Sequence, residues 1–123
     1  MFKPTLARSI LLELASSLGK RIESCDVLDF SAGWGDRLIG ALSCPVRSYT
    51  ATDPNVSLKE GHGKIIEELG AQKKLGKISP DLSLYRIIYE PFQTANLPSE
   101  PSFDIIFSSP PYFNFEVCLD WIF

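Results

Sequence analysis

Apolar residues recur every fourth position near the start of the chain, at Leu6, Ile10, Leu14 and Leu18. This spacing predicts an amphipathic helix of about four turns whose apolar side is that stripe. Gly19 follows directly and is expected to end the helix.

Short segments that are apolar or rich in β-branched and aromatic residues alternate with helical patterns along the rest of the chain. The predicted strands are 25–30, 47–52, 84–89 and 103–108, the predicted helices between them are 36–43 and 55–70, and the polar segments 71–81 and 93–102 are expected to be loops. Strands that alternate with helices predict a parallel sheet with right-handed crossovers. We therefore expect an α/β fold with a Rossmann-like, doubly wound sheet.

Composition limits the size and class of the protein. The chain has 123 residues, of which 45% are apolar and 22% charged, as in one small soluble domain. The net charge of −3 and a pI near 5.1 provide no general attraction to nucleic acid. A polynucleotide substrate would have to be bound by a local patch or by sequence outside this chain.

Targeting signals and cysteine usage favour an intracellular protein, cytoplasmic or associated with the nucleoid or nucleus. Pro4 and Glu13 interrupt the first apolar stretch, which disfavours a signal peptide, and no run approaches the roughly 20 apolar residues of a membrane span. The odd, widely spaced cysteines Cys25, Cys44 and Cys118 are typical of reduced core thiols.

A polar or glycine-rich turn follows each predicted strand. These turns contain Asp29 with the segment 31–35, then Asp53, Glu90 and Ser109. Because ligands of open α/β sheets bind beyond the carboxyl ends of the strands, we expect the four turns to share one site.

The glycine turn "SAGWG" favours a nucleoside ligand without a phosphate chain. Gly33 and Gly35 let a ligand approach the backbone, but Leu38 occupies the position where a dinucleotide fingerprint needs a small residue. The P-loop pattern is absent. Asp29 favours a cationic ligand, and Asp53 is placed to accept hydrogen bonds from ribose hydroxyls, although an Asp-Pro pair also suits a helix N-cap.

The stretch "FSSPPYF" (107–113) ends the last predicted strand with the stiffest possible dipeptide. Pro110 and Pro111 have fixed φ angles and no N–H, so the strand must stop there. The carbonyl oxygens of such a rigid turn suit a ligand that donates hydrogen bonds, such as an amino group. A plain loop is the alternative explanation.

The motifs "VLDFSAGWGDRL", "ATDPN" and "SSPPYF", in this order, resemble those of class I S-adenosylmethionine-dependent methyltransferases. Among these, the chain is similar to the enzymes that methylate adenine N6 or cytosine N4 in DNA, whose signature is D/N/S-P-P-Y/F/W. The resemblance implies S-adenosylmethionine as the donor and a nucleic acid, DNA rather than RNA, as the partner. The chemistry that it implies needs no metal, and the absence of a long apolar run predicts no membrane partner.

The resemblance also implies roles for individual residues. The methionine part of the donor would lie against Asp29, Ser31, Ala32, Gly33 and Gly35, its ribose at Asp53, its adenine near Glu90, Pro91 and Phe92, and its carboxylate near Lys3 or Thr5.

The catalytic turn would be Ser109, Pro110, Pro111 and Tyr112. The Ser109 hydroxyl and the Pro110 carbonyl would accept the amine N–H groups, and Tyr112, extended by Phe113, would stack on an extruded base. Serine in place of aspartate tilts the expectation slightly toward cytosine N4.

Two further residues are expected to be structural. His62 lies in the predicted helix 55–70 and should be exposed. Trp34 should pack beside the glycine turn or into the core.

The resemblance covers nearly the whole chain, as a single partial domain (1–123) with an N-terminal helix in 1–24 and a donor-binding half in 25–123. We expect the fold to be truncated after the fourth strand, so a second chain could supply the missing half. The alternatives are a non-catalytic S-adenosylmethionine-binding module and an RNA or protein amine methyltransferase. An NAD-dependent enzyme is disfavoured by Leu38.

Overall fold

The computed structural model describes residues 4–44, 46–70, 81–95, 97 and 103–107. Three α-helices and four strands occur in this part of the chain. The helices are α1 (Pro4–Ser17), α2 (Asp36–Ser43) and α3 (Lys59–Gly70), and the strands are β1 (Asp26–Asp29), β2 (Ser48–Thr52), β3 (Tyr85–Ile88) and β4 (Ile105–Ile106). Single 3₁₀ turns precede β1, α3 and β3.

The four strands form one parallel sheet in the order β3-β2-β1-β4. The chain moves outward from β1 to β2 and β3, and then returns to place β4 on the other side of β1. The strand order therefore reverses between β1 and β4, which is the position where α/β sheets bind ligands. The predicted Rossmann-like α/β fold is confirmed.

The core lies between the sheet and the helices. Every residue of β1 and β2 is buried, as expected for central strands of a parallel sheet. Leu11 of α1, Leu38 of α2 and Val27 of β1 are each 1% exposed. The aromatic rings of Tyr49 and Tyr85 stack beside them, with centroids 6.2 Å apart.

The predicted helix α1 is present, but its buried side is not the predicted leucine stripe. Ala7, Leu11 and Ala15 are buried, whereas Leu6 is 50% and Leu14 37% exposed. At Ala7, α1 approaches Gly40 of α2 so closely that a large side chain would not fit between the two helices there. Leu18 lies beyond the helix end and is also exposed.

Gly19 ends α1 as predicted. It has a φ of 68°, and Lys20 N–H donates to the carbonyl of Ala15 in the geometry of a helix C-cap. None of the described helices is long and apolar enough to cross a lipid bilayer.

Cys25 and Cys44 are buried and free, in agreement with the predicted core thiols. Burial raises the pKa of both, that of the Cys44 thiol to about 11. Cys118 lies outside the described residues.

Candidate functional site

The turn after β1 is joined to the end of β2 by a hydrogen bond between a backbone amide and a carboxylate. The N–H of Gly33 donates to Oδ2 of Asp53 at 2.9 Å, and the other oxygen of Asp53 accepts from the N–H of Asn55. The next amide back, Ala32 N–H, donates to the carbonyl of Thr52 at 3.0 Å. The structure thus brings the "SAGWG" and "ATDPN" segments into one cluster.

Both carboxylate oxygens of Asp53 accept hydrogen bonds from backbone N–H groups. Its bond to Asn55 N–H is that of a residue that begins a turn, while its bond to Gly33 N–H holds the glycine turn. The residue is 7% exposed, and it has no salt-bridge partner among the described residues. A carboxylate has about four acceptor positions, so two neighbouring N–H groups leave capacity for further donors.

Gly33 and Gly35 are required for different reasons. Both have positive φ angles, 61° and 109°, which disfavour any residue with a side chain. A Cβ on Gly35 would also lie 2.7 Å from Cδ1 of Ile65, so this glycine lets α3 pack against the turn. A Cβ on Gly33 would meet only Nη2 of Arg37, at 3.6 Å, so backbone conformation alone demands glycine there.

Asp29 is fully buried and is paired with a cation of the protein itself. Its Oδ2 accepts from Nε of Arg37 at 2.8 Å and from the hydroxyl of Tyr49 at 2.6 Å, and its Oδ1 accepts from Ser31 N–H. Arg37 is buried too, and its guanidinium also donates to the Ser31 carbonyl. The cation paired with Asp29 in this structure is therefore Arg37 of the same chain. Arg37 also holds the glycine turn, through its hydrogen bond to the Ser31 carbonyl.

Burial and the negative charge of Asp29 raise the pKa of the Tyr49 hydroxyl well above its usual range. Tyr49 consequently remains a hydrogen-bond donor to Asp29 at physiological pH. Sequence reasoning missed both Arg37 and Tyr49. A carboxylate inside an apolar strand needs a cation, and Arg37 at the start of the following helix is a suitable one.

The turn after β3 reaches the same edge of the sheet. The rings of Phe92 and Phe30, the residue that follows β1, lie with centroids 5.8 Å apart at 50°. Both are partly buried, while Glu90 is exposed. The two rings thus form an aromatic surface beside the residues that follow β1 and β3.

His62 is not exposed, contrary to the prediction. It is 2% exposed, and its ring nitrogens lie 2.7 Å from the carbonyl oxygen of Gly33 and 2.8 Å from the hydroxyl of Tyr89. The two glycines that flank it in α3, Gly61 and Gly63, gave the segment a weak and polar pattern. For this reason the sequence pattern did not indicate that His62 is buried and faces the glycine turn.

Trp34 lies between the two glycines of the turn and is 78% exposed, so the prediction that it packs into the core or against the turn is wrong.

The remaining predicted residues fall outside this cluster or outside the described part. Thr5 is exposed in the first turn of α1, where its carbonyl accepts from the Ser9 hydroxyl. Lys3 and the segment 109–113 are not among the described residues. Phe107, the last described residue before that segment, donates its N–H to the carbonyl of Leu28 in β1.

Among the described residues no group of three His, Cys, Asp or Glu side chains is arranged to hold a metal ion.

Comparison with known proteins identifies a similar fold. No protein-family profile matches the chain, and no curated protein sequence matches it significantly. A crystal structure from Pyrococcus horikoshii, described as that of a proposed RNA methyltransferase, matches with a TM-score of 0.58 and 24% identity. The match covers 86% of this chain and 44% of the other, so this chain spans less than half of that protein. The likeness supports the Rossmann-like fold.

Proposed function

We propose that the chain binds S-adenosylmethionine at the carboxyl edge of its sheet and is part of a methyltransferase that acts on an exocyclic amino group of a nucleic-acid base. The observation that carries the proposal is the 2.9 Å hydrogen bond between Gly33 N–H and Asp53. It joins two of the three motifs of the family resemblance beside the point where the strand order reverses. The description of the Pyrococcus protein supports methyl transfer independently of those motifs.

The residues present fit the proposed donor. Asp53 has acceptor capacity for ribose hydroxyls, and Phe30 with Phe92 offers an apolar surface for an adenine ring. The positive φ angles of Gly33 and Gly35 give the turn a backbone conformation that disfavours residues with side chains, and in the proposal the methionine part of the donor lies against this turn. In this proposal Asp29 does not contact the ligand. It holds Arg37, which donates to the Ser31 carbonyl of the turn.

S-adenosylmethionine, when bound, supplies a methyl group activated by the sulfonium centre. The chain would orient the acceptor amine and localise its lone pair. In the proposal, the Ser109 hydroxyl and the Pro110 carbonyl accept the two amine N–H groups, and Pro111 keeps these acceptors rigid before the substrate binds. Tyr112 stacks on the base. These assignments rest on the resemblance of the sequence "SPPY" to the family signature.

Donor binding is tested by isothermal titration of the wild type and of Asp53→Ala with S-adenosylmethionine. We expect the wild type to bind and Asp53→Ala to bind at least tenfold more weakly, because a carboxylate that accepts from hydroxyls makes charge-assisted hydrogen bonds. Asp81→Ala is the matched control, because Asp81 also begins a turn by accepting from a backbone N–H, but does so before β3 at the opposite edge. A folded wild type that does not bind, or equal affinities of the wild type and Asp53→Ala, would refute the donor site.

The acceptor is DNA in the first proposal, and RNA is the second candidate because of the description of the Pyrococcus protein. Labelled donor should be offered with unmethylated DNA, RNA and protein in parallel. Transfer that is lost in Tyr112→Ala while donor affinity is retained would support an amino-group methyltransferase, and the productive acceptor would identify its class. Donor binding without transfer to any acceptor would indicate a non-catalytic binding module.

A further inference from the structure

His62 connects the glycine turn to the end of β3. From α3, one nitrogen of its buried ring faces the Gly33 carbonyl at 2.7 Å and the other faces the Tyr89 hydroxyl at 2.8 Å. The imidazole also stacks on the ring of Tyr89, with centroids 5.8 Å apart at 20°. The ring is thus fixed by two hydrogen bonds and by packing.

The partners of the ring determine its tautomer. A backbone carbonyl can only accept, so Nε2 must carry the proton that it donates to Gly33. In a neutral imidazole Nδ1 is then an acceptor, and the Tyr89 hydroxyl must donate to it. Burial, with a smaller contribution from the negative charge of Asp53, raises the pKa of Tyr89, so its hydroxyl keeps this proton at neutral pH. The hydrogen bonds run in one direction, from Tyr89 through His62 to Gly33.

Gly33 is held by side chains on both of its backbone polar groups. Asp53, at the end of β2, accepts from its N–H, and His62 donates to its carbonyl. With a φ of 61° and no side chain, Gly33 has no packing of its own to fix its peptide planes. Its orientation therefore depends on these two contacts from other elements.

We propose that His62 is a positioning residue of the ligand site: held in one tautomer by Tyr89, it fixes the Gly33 carbonyl and keeps the glycine turn in its ligand-binding conformation. The inference rests on the proposed function only for the identity of the ligand. Asp53, the residue assigned to the ribose, and His62 act on the same residue, so loss of the His62 contact should weaken donor binding without altering the carboxylate.

A ring that merely fills space makes a different prediction. If volume alone mattered, His62→Leu would behave like the wild type. If the hydrogen bonds matter, His62→Gln should largely preserve the order of the glycine turn and the donor affinity, because the glutamine amide has an NH₂ group that can donate and a carbonyl oxygen that can accept. Tyr89→Phe keeps the stacked ring and removes only the hydroxyl that orients the imidazole. Lys64→Ala, at an exposed position of the same helix, is the matched control.

The test combines two measurements on the full chain. Amide hydrogen exchange of the segment 31–36 reports on the turn without any ligand, and titration with S-adenosylmethionine reports on affinity. We expect exchange about tenfold faster and affinity roughly fivefold to tenfold weaker in His62→Leu, intermediate values in Tyr89→Phe, and values near those of the wild type in His62→Gln and Lys64→Ala.

The outcomes separate the two proposals. Wild-type exchange in folded His62→Leu, or equal loss in His62→Gln and His62→Leu, would overturn the positioning role. If His62→Leu does not fold, Tyr89→Phe decides, because wild-type exchange in that variant contradicts the orienting hydrogen bond. If the folded wild type does not bind the donor, the proposed function fails, but the exchange measurements still decide the role of His62.

Discussion

Replacement of Gly40 by alanine should destabilise the protein, although the same change favours a helix. Gly40 lies in the middle of α2, where α1 crosses it closely. An added Cβ would lie 2.8 Å from the Cβ of Ala7, 3.0 Å from the backbone nitrogen of Arg8 and 3.2 Å from the carbonyl oxygen of Pro4. None of these atoms belongs to a flexible side-chain end, so α1 itself would have to move.

Two opposing effects set the magnitude. Alanine is favoured over glycine in a helix interior by about 1 kcal/mol. Overpacking of a well-packed contact costs typically 1–3 kcal/mol, and contacts with rigid backbone atoms belong in the upper part of that range, about 2–3 kcal/mol. The free energy of unfolding of Gly40→Ala should therefore be lower than that of the wild type by about 1–2 kcal/mol.

The same substitution in α3 should have the opposite sign. A Cβ on Gly61 would have no atom within 4 Å, so Gly61→Ala gains helix propensity without a clash and should be more stable by about 0.5–1 kcal/mol. Urea denaturation followed by circular dichroism measures both variants against the wild type. Equal stabilisation by the two substitutions would refute the close packing of α1 on α2.

Three other substitutions test the core and the site. Tyr49→Phe removes the hydroxyl that donates to buried Asp29 and should lower the free energy of unfolding by about 2 kcal/mol. This is twice the loss expected for Tyr85→Phe, because the Tyr85 hydroxyl donates to a neutral carbonyl. Equal losses of the two variants in urea denaturation would contradict the charge-assisted bond. Burial raises the pKa of the Cys44 thiol from 9.0 to about 11, so the folded protein keeps a proton that the unfolded chain releases. Stability should therefore fall as pH rises from 9 to 11, and Cys44→Ala should reduce this fall by about 2–3 kcal/mol, the contribution of this thiol alone, as urea titrations at several pH values would measure. Trp34→Ala should change stability by less than about 0.5 kcal/mol because the indole is 78% exposed, and a larger loss in the same assay would show that the indole packs in the fold.

The sheet and the positions of its helices were predictable because local pattern and tertiary environment agree there. The segment 25–30 is a short apolar run bounded by a turn, and 47–52 is rich in β-branched and aromatic residues. The structure contains fully buried central strands within both segments. The helix predicted for 36–43 has those limits in the structure. The carboxyl ends of parallel strands lie at one edge of the sheet, so the proximity of the turns that contain Gly33 and Asp53 was predictable, although their hydrogen bond was not.

The buried side of α1 was not predictable from hydrophobicity, because the contact with α2 is set by size. Leucines at every fourth position indicated one face, but the crossing beside Gly40 requires a small residue such as Ala7. A pattern of apolar residues does not report which neighbour a helix will meet. Which residue of α1 packs against Gly40 depends on the sequences of both helices, so the pattern of α1 alone does not indicate it.

Electrostatics separates residues that support the candidate site from those that can contact a ligand. Asp29 is the last residue of β1 and Asp53 directly follows β2, so their positions in the sequence make both of them candidates for contact with a ligand. The structure distinguishes them, because Asp29 is compensated by a buried guanidinium 2.8 Å away, whereas Asp53 accepts only backbone N–H groups in the hydrogen bonds described. Since a buried carboxylate paired with a cation loses most of its attraction for a second cation, polar donors of a ligand at this edge should be directed to Asp53. Donors of that kind include the hydroxyls of a ribose, which is the role that the proposed function assigns to Asp53.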